Sequence, residues 1–233
     1  MPAYFVTGTD TDAGKTLVTS GLLALARRRG LTTLGLKPVA SGCKETAQGL
    51  RNADALALEA QTRPALPYAT INPFAFAPAI APHLAARRAG AAPTLKALDD
   101  HVRAPLDLDR DLALIEGAGG WRVPLNDRED LSGLAVRLEL PVILVVGLRL
   151  GAISHARLTF DAIRADGLRL AGWVGNLLDS GFASDDALYG DNLATLDATL
   201  DAPCLGVVPR LAAEGHEALA AAAADHLVLP DVD

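Results

Sequence analysis

Residues 5–18, FVTGTDTDAGKTLV, decide how this chain is read. A short apolar run ends at Gly8, and after Gly14-Lys15-Thr16 the residues Leu17, Gly21, Leu22 and Leu25 follow helical spacing. Strand, glycine-bounded loop and helix opening on Gly-Lys-Thr is the context that a phosphate-binding loop requires. In such a loop the backbone N–H groups and the helix N-terminus cradle an anion. That cradle spans Asp12, Ala13, Gly14, Lys15, Thr16 and Leu17, with Lys15 reaching the outer phosphates and the Thr16 hydroxyl on Mg2+. Two features depart from the usual pattern. Gly8 and Gly14 enclose five residues, one more than the pattern holds, and two of them, Asp10 and Asp12, are acids.

Working outward, strand-like and helix-like segments alternate. AYFVTG (3–8), TTLGLKPVA (32–40, closed by Pro38), LALIEG (112–117), PVILVVG (141–147), RLAGWVGN (169–176) and CLGVVP (204–209) are expected to be strands. Helices are expected from Gly14 to Gly30 and over 53–61, 82–90, 94–103, 129–139, 153–166, 184–199 and 212–225. Residues 64–82 hold five prolines and no steady period, and are expected to form a long irregular loop. The strands VILVV and LALI are apolar throughout, so both their faces are covered. That pattern gives an α/β fold: a mostly parallel sheet between two layers of helices, P-loop NTPase-like, with three layers and one domain over 1–233. Ligands in such sheets sit beyond the carboxyl ends of the strands. The residues to inspect are therefore Gly8–Thr16, Lys37–Gly42, Glu116–Gly120, Gly147–Ser154, Asn176–Asp179 and Pro209–Leu211.

Composition narrows the function. The chain has 233 residues, half of them apolar, and a net charge of −7. An acidic chain does not offer the basic face of a nucleic-acid binder. The longest apolar run, 140–148, falls well short of a membrane span. The start MPAYFVTG lacks a basic signal region, and Cys43 and Cys204 read as free thiols, so a cytoplasmic protein is expected. Only four lysines stand against 17 arginines. Lys15 and Lys37 therefore stand out as positions where a compact ammonium is wanted.

A phosphate-binding loop needs an acid for its metal. Glu116 ends an apolar strand in the manner of a Walker B acid, and Gly117, Ala118 and Gly119 after it let backbone approach a ligand. Asp54 is a second candidate ligand, although its place before ALALEAQ better suits a residue that starts a helix. Asn176 and Leu177 end a strand where a base could be read, and Asn176 with Asp179 has the spacing of guanine readers without their lysine.

The set TGTDTDAGKT (7–16), KPVASG (37–42), GLRNADALAL (49–58), EGAGGW (116–121), LPVILVVGLRLG (140–151) and AGWVGN (171–176) resembles the dethiobiotin synthetase family, in order and over nearly the whole length. The resemblance implies an ATP- and Mg2+-dependent cyclo-ligase of biotin biosynthesis. It would close the ureido ring of dethiobiotin from 7,8-diaminopelargonate and CO2, through a carbamate and its phosphorylated anhydride. It implies Lys37, Lys15 and Thr11 as catalytic groups, and Thr16, Asp54 and Glu116 as metal ligands. The nucleotide would lie against the loop, residues 116–119, Asn176, Leu177, Pro209, Arg210 and Leu211. The diamine would meet Thr11, Lys37 and Ser41. The family acts as a homodimer, so the substrate carboxylate would meet Gly151, Ala152, Ser154 and Tyr189 of the neighbouring subunit.

On this reading the extra loop residue turns the wall around Thr11 toward a second substrate. The roles of the loop acids stay open: Asp10 beside the metal or paired with a lysine, Asp12 toward solvent. Three other readings compete. A partitioning-type ATPase would carry a lysine at position 9, where this chain has Thr9. A cobyrinate-type amide synthetase would add a glutaminase domain with a nucleophilic Cys and a partner His, a context that Cys43 and Cys204 lack. A nucleotide sensor without catalysis would not need Lys37.

Overall fold

The computed structural model describes residues 2–230. In chain order, β1 (Ala3–Gly8) leads to α1 (Lys15–Arg28) and β2 (Thr33–Leu36). Then come β3 (Val39–Ala40), β4 (Lys44–Thr46), β5 (Gly49–Arg51), α2 (Ala53–Gln61), α3 (Tyr68–Ile71) and β6 (Phe74–Ala75). They are followed by α4 (Pro82–Arg88), α5 (Leu95–Leu106), β7 (Leu112–Glu116), α6 (Gly133–Arg137), β8 (Val142–Leu148) and α7 (Ala152–Ala165). The last elements are β9 (Leu170–Leu177), a 3₁₀ turn at Ser180–Ala183, α8 (Asp186–Thr199), β10 (Cys204–Val208) and α9 (His216–Ala224).

Six strands form one sheet in the order β10-β9-β8-β1-β7-β2, and every pairing in it is parallel. All residues of β2, β7 and β8 are buried, so helices cover both faces and the three-layer α/β expectation holds. The strand order places four loops side by side at the carboxyl edge. The chain after β8 lies beside the loop after β1, then comes Glu116 at the end of β7, then Lys37 just after β2. The neighbours of β1 lead away in opposite directions, which makes this edge the switch point where an open α/β sheet binds ligands.

The structure corrects three expected elements. The strand expected over 32–40 ends at Leu36, because Pro38 has no N–H to continue the ladder; Val39–Ala40 pairs instead with Phe74–Ala75 in a small separate sheet. Residues 64–82 are not an irregular loop, since they contain α3 and β6 and pack behind Lys37. The helix expected over 129–139 is helical only at Gly133–Arg137. An antiparallel hairpin, Lys44–Thr46 with Gly49–Arg51, went unread because its polar, exposed strands carry no apolar alternation.

Candidate active site at the carboxyl edge of the sheet

The loop after β1 turns into α1 at Gly14, whose φ of 91° is left-handed and disfavours any side chain. An added Cβ there would also run into the amide of Asn176. That amide donates from Nδ2 to the Ala13 carbonyl at 3.0 Å and ties the end of β9 to the loop. Lys15 is buried, and its Nζ donates to the Asp10 carbonyl at 3.2 Å. Burial, and then the ammonium of Lys37, hold its pKa below the ordinary lysine value. Lys15 is thus a cation without an adequate counter-charge, and a bound phosphate would supply one.

Lys37 is 3% exposed. Its Nζ donates to Glu116 Oε1 at 2.6 Å and to the Gly117 carbonyl at 2.9 Å, and pairs with Asp54 Oδ2 at 3.1 Å. Burial alone would lower its pKa; the carboxylates of Glu116 and Asp54 more than offset that and raise it. Burial likewise works to raise the Asp54 carboxyl, and the Lys37 ammonium overrides it and holds the group below the usual range. Glu116 Oε1 also accepts from the Thr16 hydroxyl at 2.8 Å, while its buried Oε2 has no partner among the described residues. Two carboxylates and a hydroxyl converge here, with an orphaned oxygen among them. Such a hard-oxygen set fits Mg2+, which takes one or two carboxylates and completes its shell with waters and phosphate oxygens.

These groups line or underlie one cavity of about 400 Å³, bounded by Thr11, Asp12, Gly14–Leu17, Lys37, Ala40, Ser41, Asn52, Asp54, Ala118 and Gly119. Beside it lies a second cavity of about 690 Å³ between the loop, residues 79–82 and residues 118–124. Thr11, Asp12, Ser41, Ala118 and Gly119 border both.

A family model described as an AAA domain matches residues 2–218. The ATP-dependent dethiobiotin synthetase BioD of Chromohalobacter salexigens is 74% identical over 234 residues, covering 99% of this chain and 99% of the relative. The enzyme of the same name from Pseudomonas aeruginosa strain UCBPP-PA14 is 59% identical, covering 98% and 97%. The chain belongs to the ATP-dependent dethiobiotin synthetase family. Among solved structures, the MinC:MinD cell division complex of Aquifex aeolicus matches with a TM-score of 0.58 at 14% identity, covering 96% of this chain and 94% of that one. At that identity the likeness speaks for the fold alone.

Of the residues expected for a dethiobiotin synthetase, the cavity brings together Thr11, Asp12, Gly14, Lys15, Thr16, Leu17, Lys37, Ser41, Asp54, Ala118 and Gly119, with Glu116 and Gly117 bonded to Lys37. Ala13 is wholly buried and reaches the site through its backbone. The expected base contacts Asn176, Leu177, Pro209, Arg210 and Leu211 do not line it, nor do Gly151, Ala152, Ser154 and Tyr189.

Several side chains sit differently from their expected roles. Asp54 does not cap its helix: Asn52 does, accepting from the N–H groups of Asp54 and Ala55 at 3.0 and 3.2 Å and freeing Asp54 to face Lys37. Asn52 also donates to the Ser41 carbonyl at 3.2 Å, a site role the sequence reading missed although RNAD displays a capping residue. The Asp10 carboxylate joins neither the metal set nor a lysine but pairs with Arg149 at 2.7 Å. Asp12 is exposed. Ala152, expected to meet a carboxylate, donates its N–H to the Arg149 carbonyl at 3.0 Å and is itself buried. Gly151 and Ser154 are exposed.

Proposed function

We propose that this chain is an ATP- and Mg2+-dependent cyclo-ligase that makes dethiobiotin from 7,8-diaminopelargonate and CO2, as one domain over 1–233, in the cytoplasm and as a homodimer. The observation that carries this reading is the meeting of two buried lysines, Lys15 and Lys37, in one cavity with Thr16 and Asp54, where Lys37 is also bonded to Glu116. A nucleotide switch has use for the first lysine but not for the second.

In the reaction, one amine of the substrate adds to CO2 and loses a proton to give a carbamate. A carbamate oxygen attacks the γ-phosphorus, and ADP departs. The second amine then attacks the activated carbonyl, the ring closes, and phosphate leaves with the former carbamate oxygen. Both partners of the phosphoryl step are anionic, so positioning and charge neutralisation do most of the work. Lys15 meets the outer phosphates. Lys37 turns from the acids toward the carbamate and phosphoryl oxygens. Thr16, Asp54 and Glu116 would hold Mg2+, which when bound supplies the counter-charge that Lys37 supplies to these acids in its absence. Thr11 and Ser41, at the border of the two cavities, hydrogen-bond the diamine. Asn176, its Nδ2 engaged with the loop, offers Oδ1 to the base, with Leu177 and Pro209–Leu211 around it.

The dimer reading draws on the surface around the turn into α7. Leu150 is 91% exposed, and Leu158 and Leu188 are 66% and 58% exposed on two helices that pack together. The neighbour's substrate carboxylate would meet Gly151, Ser154 and Tyr189. The test is ADP release with diamine and bicarbonate added singly and together. Turnover that requires both supports the reading; steady hydrolysis without the diamine favours a partitioning-type switch.

A further inference from the structure

The two acids of the widened loop are held differently. Asp12 is exposed, with φ at 61°. Asp10 is bound at both carboxylate oxygens: Oδ1 accepts the Thr11 N–H at 2.8 Å, and Oδ2 accepts from Arg149 Nη2 at 2.7 Å. Its carbonyl accepts from Lys15 Nζ at 3.2 Å. Arg149 directly follows β8, the strand beside β1, and its own carbonyl closes the turn into α7 through the N–H of Ala152. A second stitch joins the same two segments, from the Gly147 N–H to the Thr9 hydroxyl at 3.2 Å.

We propose that the Asp10–Arg149 pair is a positioning clasp. It fixes Thr11, the wall shared by both cavities, and turns the Asp10 charge away from the phosphate cradle. Its work is to present the second substrate, not to hold the nucleotide. This rests on the reading that the nucleotide fills the first cavity and the diamine the second. The clasp also explains how an acid is tolerated in a lengthened phosphate loop: the carboxylate is neutralised from the side by an arginine just past the end of the neighbouring strand. Arg149 links that wall to the turn that would serve the neighbour's substrate, so one residue sets a feature of each site.

Both side chains are about half exposed, at 44% and 50%, and exposed pairs contribute little to stability. That separates position from folding. In Arg149→Gln the KM for the diamine should rise about tenfold, as expected for a small misplacement of a reacting group. The Kd for a non-hydrolysable ATP analogue should stay within about twofold of wild type, and Tm within about 2 °C. Arg149→Lys should restore most of the KM. The double variant Asp10→Asn/Arg149→Gln should be no worse than the poorer single variant, because both remove the same contact. Amide exchange at Thr11, followed by NMR in the full-length protein without substrates, should be faster in Arg149→Gln. An unchanged KM with unchanged exchange would overturn the clasp, and so would a fall of Tm and of nucleotide affinity in parallel with the rise in KM. If wild type shows no diamine-dependent turnover, the functional reading fails and the exchange rate alone decides the clasp: acceleration retains it and no change removes it.

Discussion

Lys37 makes contacts that a surface lysine would not: two carboxylates and a carbonyl, all within 3.1 Å, in a nearly closed environment. Removing it has two separable consequences. In the proposed mechanism catalysis loses one preorganised charge, which costs roughly 3 to 4 kcal/mol in the barrier, or about 10² to 10³ in rate. Folding loses the counter-charge of the buried Glu116, a change of the kind that costs about 3 kcal/mol. Lys37→Ala should therefore be nearly inactive while still binding ATP, and its lowered Tm should recover when Mg2+ and nucleotide are added. Wild-type turnover in this variant would remove Lys37 from the mechanism. The pair also sets a pH window. Asp54 is held below its reference value of 3.8, so its contribution is present above that pH and is lost as the pH falls through the depressed value. Lys37 is raised above 10.5, so its contribution is present below that pH and is lost as the pH rises through the raised value. Asp54→Asn should flatten the acid limb of stability against pH and weaken the Mg2+ dependence of activity. A melting temperature and metal response matching wild type at every pH would separate Asp54 from the site.

At the scale of elements, what was legible depended on whether burial follows a period. The six sheet strands and most of the helices were readable because VILVV and LALI are buried throughout and α1 keeps its apolar spacing. Apart from α2, expected over 53–61 and found there, the stretch from Lys37 to Pro82 was not, because side-chain to backbone bonds shape it. Buried Asn72 donates to the Lys37 carbonyl at 2.6 Å and accepts from the Tyr68 hydroxyl at 3.0 Å; that hydroxyl accepts the Asn52 N–H at 2.8 Å. This strut sets both the Lys37 backbone and the start of α2, where Asp54 sits. Periodicity carries no record of it. The candidate site shows the same division: motif residues such as Lys15, Thr16 and Glu116 came from local pattern, whereas the Asp10–Arg149 pair joins positions 139 residues apart. A prediction follows for α2. Asn52→Ala removes its cap, which should cost about 1 kcal/mol and lower Tm by roughly 2 to 4 °C. It also releases Ser41 and Asp54, so activity should fall further than the lost stability explains. A Tm loss with kcat and KM unchanged would confine Asn52 to capping.

At the scale of the whole molecule, the sheet edge gathers the nitrogen-side chemistry in one chain, while the turn at Gly151–Ser154 lies outside both cavities. In the proposed homodimer, a long substrate with amines at one end and a carboxylate at the other would be served by two chains. Mixing Lys37→Ala with Ser154→Asp tests this division. Ser154 is exposed, so the new charge faces outward, whereas a charge at the buried Ala152 would threaten folding. Each homodimer should be nearly inactive, and the mixed dimer should regain one of its two sites. No recovery in a verified mixed dimer would place the whole site in one chain.

The proposed reaction passes through a phosphorylated carbamate that lies between the diamine and the closed ring. Its most direct measurement supplies C18O2 with ATP, Mg2+ and the diamine, and follows released phosphate and dethiobiotin by mass spectrometry within the first turnovers. One 18O should appear in each phosphate, in step with ADP and dethiobiotin. Phosphate carrying only water or ATP oxygen while dethiobiotin accumulates would contradict it.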